Sequence, residues 1–208
     1  MPQCSRPGCR NKRQFKATGL CEKHHEHARR AGTLPPLPTD RIPPPTEHIA
    51  YLREIGYPIN AIAAAAGVNT TTIRNAIKGR EVTRAVHDLI THADMDNATR
   101  IPIWRAARRV QALSAAGHTL RSISQATGIN EITILEIAHH TNKTVEGTTF
   151  RKIRDHYNNT AWQPTTPQHP KTRRHNWAVP AMWDNIDDPH AKPTNPTRRS
   201  YYKPVGTT

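Results

Sequence analysis

The chain has 208 residues, of which 35% are hydrophobic and 18 are proline, so small modules joined by linkers are expected and one large core is excluded. Lys and Arg number 30 against 16 acidic residues, a formal charge of +14, and that excess points to a polyanion, nucleic acid first, as partner. No apolar run reaches the length of a membrane span and no apolar signal stretch follows Met1, so a cytoplasmic location is expected.

The first module covers residues 1–32. Cys4, Cys9, Cys21 and His24 place four soft or borderline donors in about twenty residues that carry no core of their own. Tetrahedral structural zinc is the expected organiser, with Gly8 and Gly19 allowing tight turns. His25 and His27 are alternative fourth ligands. The spacing resembles short Cys-x4-Cys, Gly-Leu-Cys-x2-His zinc modules of phage nucleic-acid proteins. Arg6, Arg10, Lys12, Arg13, Lys16 and Lys23 then become accessory contacts to phosphate. Residues 33–46 form a proline-rich linker in which Pro35, Pro36, Pro38 and Pro43–Pro45 favour an extended strut.

The body reads as two helical domains, residues 47–95 and 100–162, separated where Asp96 and Asn97 interrupt the apolar periodicity. In the first, Ile49, Leu52 and Ile55 face inward on a helix that stops at Gly56, and Val82, Val86, Leu89 and Ile90 supply a closing helix. The second repeats the plan with Val110, Leu113 and Ala116 before Gly117, and with Val145, Phe150, Ile153 and Tyr157 at its close.

Between these lies an internal repeat. The run from Ile59 to Asn69 is echoed from Leu120 to Asn130, and the register extends to Gly56 with Gly117 and Ile73 with Ile134. Each copy has a short helix, a glycine suited to positive φ (Gly67 or Gly128), an apolar neighbour (Val68 or Ile129) and a second helix capped by Asn69 or Asn130. That is the pattern of a helix-turn-helix.

On the first recognition helix Thr70, Thr71, Arg74, Asn75 and Lys78 face outward, with Arg80 beside them. Arg bridges guanine, Asn bridges adenine, and Thr offers a hydroxyl to phosphate and a methyl to thymine. On the second, Glu131, Ile132, Leu135, Glu136 and His139 take the same places. Either this helix reads cytosine and thymine while Lys143, Arg151, Lys152 and Arg154 hold phosphates, or it docks on protein.

These repeats resemble the small helix-turn-helix DNA-binding proteins of actinobacteria and their phages. The residues that carry the resemblance are Gly56, Ala63, Gly67, Val68, Thr70–Thr72, Ile73 and Val82 in the first copy, with Gly117, Gly128, Ile129, Ile134 and Val145 in the second. Trp183-Asp184-Asn185-Ile186-Asp187-Asp188-Pro189 is similar to the Trp-Asp-acidic-Asp-Pro ending of such chains. The resemblance implies a DNA-binding regulator; no catalytic activity and a bacterial nucleoid location are expected of the chain.

Residues 163–208 read as a largely irregular basic tail, with patches at 171–175 and 198–199. Trp177 and Trp183 bracket a short apolar stretch that is expected to strap across the second unit, and the Asp184, Asp187 and Asp188 cluster is expected to form exposed, weak pairs. Asp155–Asn159, superficially like a fragment of a His-Asn-His nuclease, reads as an ordinary helix face.

The resulting fold class is mostly α: two tandem helix-turn-helix units, a small N-terminal zinc-binding module and an irregular C-terminal tail. The function expected is a sequence-specific transcriptional regulator of phage or mobile-element type. Its tandem units would read a bipartite site on double-stranded DNA, as a monomer. The alternatives are a DNA-architectural, recombination or packaging accessory protein, and an adaptor whose second unit and tail bind a host protein.

Overall fold

The computed structural model describes residues 3–12, 14–15, 18–34, 40–163 and 175–194. It divides into two units, Met1–Arg41 and Ile42–Thr208. Pro35, Pro36 and Pro38 of the expected strut, the patches at 171–174 and 198–199, and Arg13 and Lys16 lie outside the described residues.

Among its described residues the N-terminal unit has one helix, α1 (Glu22–Arg30), after two turns closed by the antiparallel bridges Gln3 with Lys12 and Phe15 with Leu20. Gly8 and Gly19 adopt φ of 79° and 71°, the left-handed region that glycine enters without a Cβ clash. Cys4 and Cys21 are its buried side chains.

The second unit is mostly helical and contains the repeat twice over. A strand β1 (Arg41–Ile42) precedes α2 (Thr46–Glu54), α3 (Ile59–Ala65), α4 (Thr70–Ile77), β2 (Val82–Thr83) and α5 (Arg84–Thr91). The same order returns as β3 (Arg100–Pro102), α6 (Ile103–Ala115), α7 (Leu120–Thr127), α8 (Glu131–Ala138), β4 (Thr144–Glu146) and α9 (Gly147–Thr160). Each copy closes with a two-stranded ribbon, β1 with β2 and β3 with β4. In the second, Ile101 lies opposite Val145. The repeat is therefore wider than the paired short helices, and it begins at an Arg-Ile-Pro that occurs at Arg41 and again at Arg100.

Helix boundaries follow local chemistry. Asn69 and Asn130 accept from the backbone N–H groups of Thr71 and Ile132 at 2.8 Å, and Thr83 and Thr119 cap α5 and α7 in the same way. Gly56 and Gly117, with φ of 105° and 111°, turn the chain after α2 and α6. Val82 and Val145, expected on the closing helices, stand instead in the ribbons, where pairing with β1 and β3 keeps the chain extended until two residues later. Leu89 is 50% exposed while its neighbour Ile90 is fully buried, since successive helical residues point about 100° apart.

The two helical segments do not keep separate cores. Ile49, Leu52, Ile62 and Ile73 belong to the same buried cluster as Val110, Ile123, Ile134, Phe150 and Ile153. At its centre lies α6, where all but one side chain are buried, three arginines included. The Trp104 indole donates to the Ile55 carbonyl at 2.8 Å, and Arg105 donates to the Tyr57 hydroxyl at 2.9 Å, joining the copies. Gly147, at the start of α9, packs so closely on Ala98 that a Cβ there would collide with the Ala98 carbonyl oxygen.

Residues 175–194 lie along the second copy, with Trp177, Trp183 and Ile186 packed against the core. They are anchored by α6. Arg108, fully buried, donates to the backbone carbonyls of Ile186 (3.1 Å), Asp188 (2.6 Å) and Pro189 (3.1 Å), and its guanidinium lies 4.5 Å from the Trp104 ring and 4.8 Å from that of Trp183. The carboxylate cluster expected to be exposed and weakly paired is otherwise arranged at Asp187, which accepts from both Arg105 and Arg109 at 2.7 Å.

Candidate metal centre and nucleic-acid interface

In the N-terminal unit the first turn, between Gln3 and Lys12, carries both Cys4 and Cys9, and the second, between Phe15 and Leu20, leads into Cys21 and His24 at the start of α1. The four ligand atoms lie within 4.8 Å of one another, close enough to hold a metal ion. Cys4 Sγ and Cys21 Sγ approach His24 Nδ1 at 3.4 and 3.5 Å, and Cys9 Sγ lies 3.9 Å from Cys21 Sγ. Of the three histidines the sequence offers as fourth ligand, only His24 joins this group. His25 stacks on Phe15 with ring centroids 3.7 Å apart, and His27 is exposed.

The environment differentiates the thiols. The backbone at His24 pulls the Cys21 thiol below its ordinary value, toward the thiolate that a metal requires. At Cys9 a backbone contact with Asn11 acts downward, but burial and the Cys21 and Cys4 thiols outweigh it and the pKa is raised. All three cysteines are free of disulfides. Around the cluster Arg6, Arg10, Lys12 and Lys23 are exposed, whereas Arg29 and Arg30 pair with Glu26.

In the second unit α3 and α4 meet at a bend where Gly67 has φ of 64°. Ile62, Ala63, Ala66, Ile73 and Ala76 are buried between them, and Ala63 is small enough for the close approach. On the outward side Thr71, Arg74, Lys78 and Arg80 are exposed, while Thr70 and Asn75 are half-buried. Thr71, Arg74 and Lys78 follow one another at three- and four-residue steps, so they form one row along the helix. Among the described residues, Arg74, Lys78 and Arg80 enter no ion pair.

The second helix pair has the same geometry and a different surface. Gly128 bends the chain with φ of 65°, and Ile123, Thr127, Ile134 and Ile137 are buried at the contact. Ser124 donates to the Ile129 carbonyl at 2.6 Å, fixing the turn. Outward on α8 stand Glu131, Ile132 (66% exposed), Leu135 and His139, with Glu136 half-buried. The His139 ring lies 5.3 Å from His175 and 5.8 Å from Trp177. Lys143 and Lys152 are exposed. Arg151 is half-buried beside Gly147, and Arg154 pairs with Asp155 at 3.0 Å and approaches Asp96 at 3.8 Å.

Arg105, Arg108 and Arg109 are structural residues that sequence reasoning missed, because three arginines in one helical turn read as a solvated face. The signal was their company: Trp104 before them and an apolar row through Val110 and Leu113. Asp155–Asn159 lies on α9. No helix among the described residues is long and apolar enough to cross a membrane.

Compared with protein-family models, with curated proteins and with solved structures, the chain matches none of them.

Proposed function

We propose that the chain is a sequence-specific regulator that binds double-stranded DNA, with α3 and α4 as a helix-turn-helix and α4 as the helix that enters the major groove. The observation that carries this reading is the outward row Thr71, Arg74 and Lys78, held on a capped helix over a packed core and committed to no internal ion pair among the described residues. Arg74 suits the two acceptors of guanine, Thr71 a phosphate or thymine methyl, and Lys78 and Arg80 the flanking phosphates. The half-buried Asn75 supplies an adenine contact from the groove side of the same helix.

Zinc is the proposed occupant of the Cys4, Cys9, Cys21 and His24 cluster. A tetrahedron with Zn–S bonds near 2.3 Å has S···S edges of about 3.8 Å, which the Cys9–Cys21 separation of 3.9 Å fits. Three thiolates and one imidazole close the shell, so the metal is structural and supplies stability to a segment with little core. The exposed cations around it add phosphate contacts.

The second copy departs from the first. Glu131, Ile132 and Leu135 oppose a negative backbone poorly, so base reading is assigned to α4, and the share of the second copy to phosphate contacts from Lys143 and Lys152. Selection of bound duplexes from a random library, followed by a salt titration of the winner, tests the proposal. A defined motif retained against competitor DNA is the expected result. Steep salt dependence without any preferred sequence would instead indicate an architectural protein.

A further inference from the structure

Between the start of α7, the outward side of α8 and the strap of residues 175–177 lies a cleft of about 450 Å³. That volume is in the range of small-molecule sites. Leu120, Leu135 and the Trp177 ring give the cleft apolar sides, and Trp177 is itself stacked on His175 with centroids 4.6 Å apart and planes 16° from parallel. A stacked aromatic pair at the edge of a cleft is a platform for a third flat ring.

The cleft also carries polar groups. Arg121, exposed and in no ion pair among the described residues, stands in the first turn of α7 beside its Thr119 cap, where backbone N–H groups also favour an anion. Glu131 lines the cleft from α8 and accepts hydrogen bonds. Ser114, 1% exposed, and His118 close the inner wall of the cleft.

We propose that this cleft is a binding site for a nucleoside monophosphate: base on Trp177, exocyclic amine to Glu131 and phosphate to Arg121. The site lies in the second copy and does not rest on α4 reading DNA. It assigns the acidic and apolar surface of α8, ill suited to phosphate backbone, to recognition of a small ligand.

The test is titration of the full-length protein with AMP, followed through the amide and indole N–H signals by NMR. Saturable shifts at Trp177, Ser114 and Arg121 with a Kd below about 1 mM are expected. Arg121→Ala and Trp177→Ala each weaken binding about tenfold. Trp177→Phe, which keeps a flat ring, retains most of it, and this separates a lost platform from a displaced strap. Arg74→Ala leaves it unchanged, so a failure here is distinguishable from a failure of the DNA reading. Shifts spread over all basic surfaces, or reproduced by inorganic phosphate alone, would reduce the effect to attraction of anions by a +14 chain and overturn the proposal. Indifference to both Arg121→Ala and Trp177→Ala would do the same.

Discussion

The carboxylate of Asp187 accepts from the guanidinium of Arg109 at 2.7 Å, a bond made by a nearly buried arginine near the centre of α6 to an aspartate 78 residues later. The second carboxylate oxygen accepts from Arg105, which also donates to Asp96 at 2.6 Å. Burial acts to raise the Asp187 pKa, but the hydrogen bonds and charges of Arg109 and Arg105 outweigh it and hold the carboxyl below its usual range. Burial likewise pushes Arg108 down to about 10, so it stays charged at neutral pH while four backbone carbonyls of the strap accept from it.

Removing one partner of such a pair costs more than the pair contributes, because it strands the other charge. Asp187→Ala leaves Arg105 and Arg109 uncompensated and is expected to destabilise by about 2 kcal/mol, less than for a dry pair because the aspartate is partly exposed. Urea unfolding checks this. The released strap also admits protease between residues 175 and 194, and an unchanged midpoint with that segment uncleaved would show that the arginines do not depend on Asp187.

Gly147 is required by packing. Gly147→Ala drives a methyl into the Ala98 carbonyl and is expected to cost about 2 kcal/mol or more, read as a drop in thermal midpoint. The control is Gly79→Ala: a Cβ there meets nothing within 4 Å, so only its φ of 75° is strained and the drop is smaller.

Acid is expected to weaken the fold before the carboxylates titrate. Burial lowers the pKa of His48, His118, His140 and His156 from the ordinary 6.5, and His118 further lowers its edge-on neighbour His156. A lowered histidine pKa means that the unfolded chain binds protons more readily than the folded one. The stability these groups confer is therefore whole above about pH 6.5 and falls as the pH drops toward their folded values. Thermal unfolding at pH 7.5 and pH 5.5 should show a lower midpoint in acid, and His118→Gln with His156→Gln should flatten the difference. A midpoint that rises in acid contradicts the assignment.

Chelation separates the two units. A strong chelator is expected to unfold the N-terminal unit while the second keeps its helical circular dichroism, because the core of the latter contains no ligand of the cluster. Elemental analysis of the purified protein should return one zinc per chain, and Cys9→Ser or Cys21→Ser should lose it. Metal retained in both variants would place it elsewhere.

Much of this was legible in the chain because local chemistry and tertiary packing agree. The glycines at 56, 67, 117 and 128 do adopt positive φ, Asn69 and Asn130 do cap helices, and the Cys4, Cys9, Cys21 and His24 spacing does converge. The parts that were not legible are those in which a residue acts against its type. Arg105, Arg108 and Arg109 are charged yet buried, because Asp187, Trp104, Trp183 and a row of carbonyls take the place of water around them. Asp187 and Arg109 are too far apart in sequence for any spacing rule to connect them. The ribbons escaped notice because two- and three-residue strands carry no periodicity, although the recurring Arg-Ile-Pro at Arg41 and Arg100 marked where each copy starts.

The most direct test of the central claim compares Arg74→Ala with Lys78→Ala on the duplex recovered by selection, base pair by base pair. Arg74→Ala should lose about 1–3 kcal/mol and relax preference at one guanine, while Lys78→Ala should weaken every sequence alike and reduce the salt slope by about one. Uniform weakening by both variants, or no effect of either, would contradict the assignment of α4 as the helix that reads DNA.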